Sequence, residues 1–230
     1  YIIRKENVGR SVIRNFLAKE AQYKWLLFID SDMSIDNDEY MLNYLEQDDK
    51  FEVIYGGYSL ASGDSSNLRY IYEKNAEKAH MAIKRNCHSY LDLHTANLLI
   101  SRKVMLNIPF DERIRNYGYE DVLLGKRLKE NNIDILHIDN QLVLNNYESN
   151  SDYLEKTREG LQTLKMFSNE LQGYSRLLTI NNRISRFHQK WIIKLYWKLR
   201  QKYLERKLTG ANPNLSTFTI YKLGYFISIS

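Results

Sequence analysis

Trp25-Leu26-Leu27-Phe28-Ile29-Asp30-Ser31-Asp32-Met33 is the stretch from which the chain is best read. Five apolar or aromatic residues run without a break and stop at two aspartates. A short apolar run of this kind predicts a strand buried on both faces, as in a parallel sheet. In open α/β sheets ligands bind at the carboxyl ends of the strands, where Asp30 and Asp32 fall. If the chain stays extended through Ser31, the two side chains point the same way. Both carboxylates then face one hard cation such as Mg²⁺ or Mn²⁺. The plainer reading is an acidic turn closing a strand, because Asp is common in turns.

Working outward, strand and helix patterns alternate. Residues 1–3 read as the end of a strand. Val12, Ile13, Phe16, Leu17 and Ala21 recur at helical spacing, with Asn7 or Ser11 as the cap. Downstream, Tyr40, Met41, Tyr44 and Leu45 mark another helix, and residues 53–58 a strand interrupted by Gly56-Gly57. Residues 61–66 are a loop by composition, and 67–85 are helical. Strands are expected at 96–100, 133–138 and 142–144, with helices at 102–107, 120–131 and 152–171. The order predicts an α/β fold: a mostly parallel sheet flanked by helices.

A second acidic site is Tyr117-Gly118-Tyr119-Glu120-Asp121. Glu120 and Asp121 sit where a helix begins, and negative charge is favoured there because the first amides are unpaired. That is sufficient reason for the two acids, and a functional reading needs the flanking tyrosines as well. Tyr117 and Tyr119 around a glycine suit stacking on a sugar face, and a carboxylate beside them can take a hydroxyl proton. His94 is a loop candidate for acceptor contact. His137, inside an apolar run, reads as a satisfied core residue before it reads as a metal ligand.

Charge divides the chain. The net charge of +5 conceals 22 Lys+Arg against 27 Asp+Glu in residues 1–172, and 11 against one in residues 173–230. This predicts an acidic body, residues 1–172, and a basic tail, 173–230, with a partner of its own. In the tail, Phe187, Trp191, Ile192, Leu195, Leu199 and Tyr203 recur at helical spacing over 184–203. Arg183, Arg186, Lys190, Lys194 and Lys198 lie beside them. Such a helix suits an anionic membrane surface, or packs on the body or on a second copy as a homodimer. An acidic body without a base-reading motif argues against nucleic acid. Cys87 is the single cysteine, so no disulfide framework exists and a reducing, cytoplasmic compartment is expected. No apolar run is long enough to span a bilayer, and no signal peptide is visible.

Taken together, these residues carry a resemblance. Asn7-x-Gly9, Arg14-Asn15, the apolar strand ending Asp30-Ser31-Asp32, and Gly118-Tyr119-Glu120-Asp121 resemble, in order and spacing, the motifs of family-2 glycosyltransferases. His94-Thr95-Ala96-Asn97-Leu98-Leu99-Ile100 is similar to the stretch before that family's acceptor-side loop, and Phe110-Asp111-Glu112 leads into the Gly118 motif. The resemblance covers about residues 1–170 and implies a GT-A fold and a nucleotide-sugar-dependent inverting enzyme.

The resemblance also implies roles. Asp30 and Asp32 would hold Mg²⁺ or Mn²⁺ and, through it, the donor diphosphate. Arg14 and Asn15 would lie on the donor side. Asp121, with Glu120, would be the base, and Tyr117, Gly118, Tyr119 and His94 would face a saccharide or glycolipid acceptor. Family members usually begin with a strand that holds the nucleobase, upstream of the Asn7 region. The expectation is therefore a fragment lacking part of the donor pocket, its activity in isolation left open. Relatives often place a histidine after the last core strand, where Leu144, Asn145 and Asn146 stand here. Two other readings stand beside this one: a haloacid-dehalogenase-like phosphatase, with Asp30 of the Asp30-Ser31-Asp32 motif as nucleophile, and a degraded, non-catalytic transferase acting as a membrane-associated binding module.

Overall fold

The structure is a computed structural model and describes residues 6–47, 50–186 and 190–230. The strand end expected at residues 1–3 lies outside them. Helix α1 (Arg10–Glu20) leads into β1 (Trp25–Ile29), which stops where the apolar run stops. Next come β2 (Met33–Ser34), α2 (Tyr40–Leu45), β3 (Val53–Tyr55), β4 (Tyr58–Leu60), α3 (Leu68–Ala76) and α4 (Ala82–Arg85). They are followed by β5 (Asn97–Ser101), α5 (Arg102–Asn107), α6 (Glu120–Glu130), β6 (Ile135–His137), β7 (Leu142–Leu144) and α7 (Asn150–Met166). Helices α8 (Arg176–Arg186), α9 (Lys190–Thr209) and α10 (Leu215–Ser228) complete the chain.

The fold is α/β, but its sheets are mixed where a mostly parallel sheet was expected. One sheet has the order β1-β5-β3-β6 and the other β2-β7-β4. Strand β5 runs antiparallel to both β1 and β3, and β2 runs antiparallel to β7. Among the described residues only the β3–β6 and β4–β7 pairs are parallel. The cause lies between β4 and β5. A parallel return needs a crossover that carries the chain back to its starting end. Helix α3 instead packs on α7 and α10, so the chain re-enters the sheet beside the carboxyl ends of β1 and β3. There Asn97 pairs with Ile29, and its carbonyl accepts from Gly56 N at 3.1 Å. Among the described residues β1 has β5 on one side only and so stands at the edge of this sheet. Its side chains are half-buried, and Ile29 is exposed, a correction to the doubly buried strand.

The strand expected over 53–58 breaks at its glycines. Gly57 has φ 81°, and the bend carries the chain from the first sheet into the second. A side chain on Gly56 would strike the Asn97 amide and the Tyr44 hydroxyl. Buried Asn97 locks this bend. Its amide donates to Gly57 O at 2.7 Å and Asn140 O at 2.8 Å, and its oxygen accepts from the hydroxyls of Tyr40 and Tyr44 at 2.5 and 2.7 Å. Each buried polar group so satisfied avoids a desolvation cost of about 1–3 kcal/mol. The result is a rigid base beside Asp30, whose own amide donates to Ala96 O at 3.3 Å.

The main core sets Val53, Leu98 and Ile100 of the sheet against Met105 of α5 and Leu124 and Leu128 of α6. A second cluster joins Leu161 and Leu164 of α7 to Leu178 of α8 and Phe226 of α10, so buried contacts cross the compositional boundary at Gly173. The helix expected over 184–203 is divided. α8 ends at Arg186 and α9 begins at Lys190, while Phe187 lies outside the described residues. The inward face of α9 is Trp197, Leu204 and Leu208, not the face of Trp191 and Leu195. Among the described residues no helix is long and apolar enough to cross a membrane.

Candidate functional site

Beyond Ile29 the chain does not stay extended. Met33 N donates to Asp30 O at 3.1 Å and closes a turn, and each aspartate meets its own arginine. Asp30 Oδ1 accepts from Arg14 Nη2 at 3.1 Å, and Asp32 Oδ2 from Arg69 Nη1 at 3.2 Å. The same Arg69 nitrogen is bonded to Glu148, whose other oxygen lies 2.9 Å from Lys156 Nζ. Burial opposes charge on both Arg69 and Glu148, but pairing prevails. The pKa of Arg69 is raised by Glu148 and Asp32, and that of Glu148 is lowered by Lys156 and Arg69.

Arg14, buried in α1, joins the two acidic motifs. While Nη2 holds Asp30, Nη1 lies 3.5 Å from Glu120 Oε1 and 3.8 Å from Asp121 Oδ1. The guanidinium also stands 5.4 Å from the centre of the Phe110 ring. Glu120 is only 4% exposed and receives a second arginine, Arg10, at 3.4 Å. Burial, and then the neighbouring Asp121, raise its pKa. Asp121 reaches solvent more readily, at 20% side-chain exposure. Its Oδ1 accepts from the Thr95 hydroxyl at 2.8 Å and its Oδ2 from the Thr95 amide at 3.2 Å. His94 Nδ1 approaches Oδ2 to 3.8 Å.

The remaining expected residues separate. Gly118 has φ 94°, and a Cβ there would lie 3.1 Å from Gly160 Cα, so the turn into α6 requires glycine. This turn sends its two tyrosines to different places. The ring of Tyr117 faces the cations, 4.7 Å from Arg10 and 5.9 Å from Lys156. Tyr119 packs into the cluster of Ile114, Leu123 and Leu161 instead, and burial pushes its hydroxyl up to about 12. Asn15 clamps Phe110, donating to its carbonyl at 2.9 Å and accepting from its amide at 2.8 Å. His137 is a core residue. Its Nε2 lies 2.9 Å from Ser89 O, and its Nδ1 accepts from Arg85 Nε at 3.2 Å.

A cleft of about 430 Å³ opens over Arg10, Arg14, Asp30, Asp32, Arg69, Asn146, Glu148 and Lys156. Four cations there face three carboxylates, an excess of one positive charge that favours an anionic ligand. No group of three or more carboxylate, histidine or cysteine ligands converges among the described residues. Mg²⁺ is nevertheless commonly held by one or two carboxylates together with substrate phosphates. Asp30 and Asp32 both line the cleft, each with one oxygen already engaged by an arginine. Arg69, Glu148 and Lys156 carry no signal in the sequence, because each sits in an ordinary polar helix or loop. Thr95 lies inside the His94–Ile100 resemblance but without a role of its own there.

Residues 1–107 match the family model described as Glycosyl transferase family 2. The matched segment holds Arg14, Asp30, Asp32, Arg69 and Thr95, and it ends before Glu120 and Asp121. No curated protein matches the chain. The match implies a GT-A, Rossmann-like fold, and the α/β arrangement of sheets and helices agrees with it. Over residues 1–107 the chain is thus similar to family-2 glycosyltransferases, a family whose chemistry is glycosyl transfer from a nucleotide-sugar donor to an acceptor.

Proposed function

We propose that the protein is a cytoplasmic inverting glycosyltransferase of hexosyl type. It moves a sugar from a nucleoside-diphosphate sugar to a hydroxyl of a saccharide or lipid-linked acceptor, in polysaccharide or surface-glycan synthesis. The observation that carries this reading is Arg14, one side chain that touches Asp30 on the donor side and Glu120 and Asp121 on the acceptor side. A cationic cleft and a carboxylate able to take a proton therefore lie within one guanidinium of each other.

The acceptor hydroxyl lies against Asp121 and gives its proton to that carboxylate while its oxygen bonds to the anomeric carbon. The bond from that carbon to the diphosphate oxygen breaks, and its electron pair leaves with the nucleoside diphosphate. Attack from the face opposite the leaving group inverts the configuration. Arg10, Arg69 and Lys156 meet the charge growing on the diphosphate. Thr95 fixes the angle of Asp121, and buried Glu120 anchors Arg10 and Arg14. Mg²⁺ or Mn²⁺ held by Asp30 and Asp32 would supply further positive charge to the same diphosphate.

Calorimetry with a panel of nucleoside diphosphates, with and without Mn²⁺, tests the donor side. Asp32→Ala should abolish the cation-dependent binding with the fold intact, and equal affinity in both proteins would sink the assignment. Asp121→Asn tests the base. Transfer should fall by a factor on the order of 10² to 10⁴ with donor affinity little changed. Persistent transfer with collapsed donor binding would move Asp121 to the donor site.

A further inference from the structure

Helix α9 has two apolar faces. On the inner one, Trp197, Leu204 and Leu208 are buried, with the indole edge-on to Tyr221 of α10 at 5.2 Å between ring centroids. On the outer one, Ile192, Leu195, Leu199 and Tyr203 are 49, 51, 73 and 52% exposed. At helical spacing these four span an arc of about 80°, opposite the buried face. Trp191, also exposed, stands at the edge of the arc. Lys194, Lys198 and Lys202 run along one side of this stripe and Arg200 and Lys207 along the other. The sole acid of the helix, Glu205, is paired with Arg158 of α7 at 2.7 Å.

A contiguous exposed stripe of large apolar residues marks an interaction site. Its rim decides the partner. An isologous contact would place the same patch against itself, cations against cations, with no acid in α9 left to pair them. An anionic bilayer complements both features at once, taking the apolar stripe below the headgroups and the basic rim among the phosphates. The 11-to-one excess of basic residues in 173–230 acts in the same direction.

We propose that the outer face of α9 seats the protein on an anionic lipid surface, with the helix in the plane of the headgroups. Leu195 and Leu199 enter the acyl boundary, and Lys194, Lys198 and Lys202 lie over lipid phosphates. This differs from a helix that spans the membrane and is independent of the reading of the cleft.

Sedimentation of the full chain with vesicles tests it. The protein should bind mixed phosphatidylcholine–phosphatidylglycerol vesicles and not phosphatidylcholine alone. Binding should weaken steeply as salt shortens the Debye length from about 10 Å at 0.1 M. Leu195→Glu with Leu199→Glu, and separately the Lys194, Lys198 and Lys202→Glu triple variant, should each weaken binding at least tenfold. All these positions are exposed, so circular dichroism should show unchanged helicity. A blue shift of tryptophan emission on binding should vanish in Trp191→Phe. Equal binding to neutral vesicles, or no binding to anionic ones, overturns the proposal. So does a dimer in size-exclusion chromatography that Leu199→Glu splits, which would assign the face to a second copy.

Discussion

Thr95 engages both oxygens of Asp121, its hydroxyl at 2.8 Å from Oδ1 and its amide at 3.2 Å from Oδ2. The threonine stands just before β5 and the aspartate in the first turn of α6, so a strand end sets the angle of a helix-borne carboxylate. Thr95→Val keeps the shape and the amide bond but removes the hydroxyl. In the proposed reaction kcat should fall about tenfold through misalignment, with donor KM unchanged, and Thr95→Ser should restore it. A rise in acceptor KM at constant kcat would assign Thr95 to binding instead.

Arg69 ties Asp32 to Glu148. Arg69→Met removes a donor from the diphosphate, frees Asp32 and leaves Glu148 to Lys156 alone. Nucleoside-diphosphate affinity should drop at least about tenfold, the scale of one charge-assisted hydrogen bond. Affinity for Mn²⁺ alone should rise. Calorimetry of each ligand separately reads both effects. If neither moves, the Asp32–Arg69–Glu148 chain serves only to hold α3 near the turn.

The bonds of His137 require the neutral imidazole, with the proton on Nε2 toward Ser89 O and Nδ1 open to Arg85 Nε–H. Burial first, and Arg85 in addition, push its pKa down to about 4. His80 is lowered to about 4 as well, by burial and then by His94. In the unfolded chain both titrate near the ordinary histidine value of about 6.5. The unfolded state therefore binds protons first as pH falls, and stability is lost between about pH 6.5 and 4. His137 alone accounts for up to about 3 kcal/mol of that loss. Denaturant unfolding across this range should show a shallower acid slope in His137→Gln, although that variant begins less stable at pH 7. Equal slopes would remove His137 from the account.

Lys222 of α10 lies 4.6 Å from the centre of the Tyr72 ring and 4.4 Å from that of Phe218. Burial lowers its pKa to about 8. Below that value the lysine is charged in both states, and the folded chain bears the desolvation cost. Between about pH 8 and 10 only the unfolded state keeps the proton, so stability rises with pH. Lys222→Met should stabilise the protein at pH 7 by at most about 3 kcal/mol and flatten that rise. Thermal unfolding of both proteins at pH 7 and pH 9.5 checks it. A parallel pH dependence would show that Lys222 reaches water in the folded state.

Local pattern carried much of the reading. The apolar run Trp25–Ile29 ends as a strand at the predicted residue, and the helix at Glu120 begins where two acids meet unpaired amides. These features depend on residues a few positions apart, where period and capping act directly. Strand direction was not legible, because it turns on where α3 packs, and a residue's own neighbours do not encode that contact.

The candidate site shows the same division. The sequence alone marks Asp30, Asp32, Glu120 and Asp121 as carboxylates in suggestive places. Only tertiary structure brings in Arg69 from 37 positions beyond Asp32 and Glu148 from 79 beyond Arg69. The tail differs in one respect, since its composition declared basic and apolar character without declaring a face. Helix α9 is apolar on both sides, so periodicity cannot tell which side is buried. Packing of Trp197, Leu204 and Leu208 among α7 and α10 decides it, because a helix can turn only one stripe toward the core.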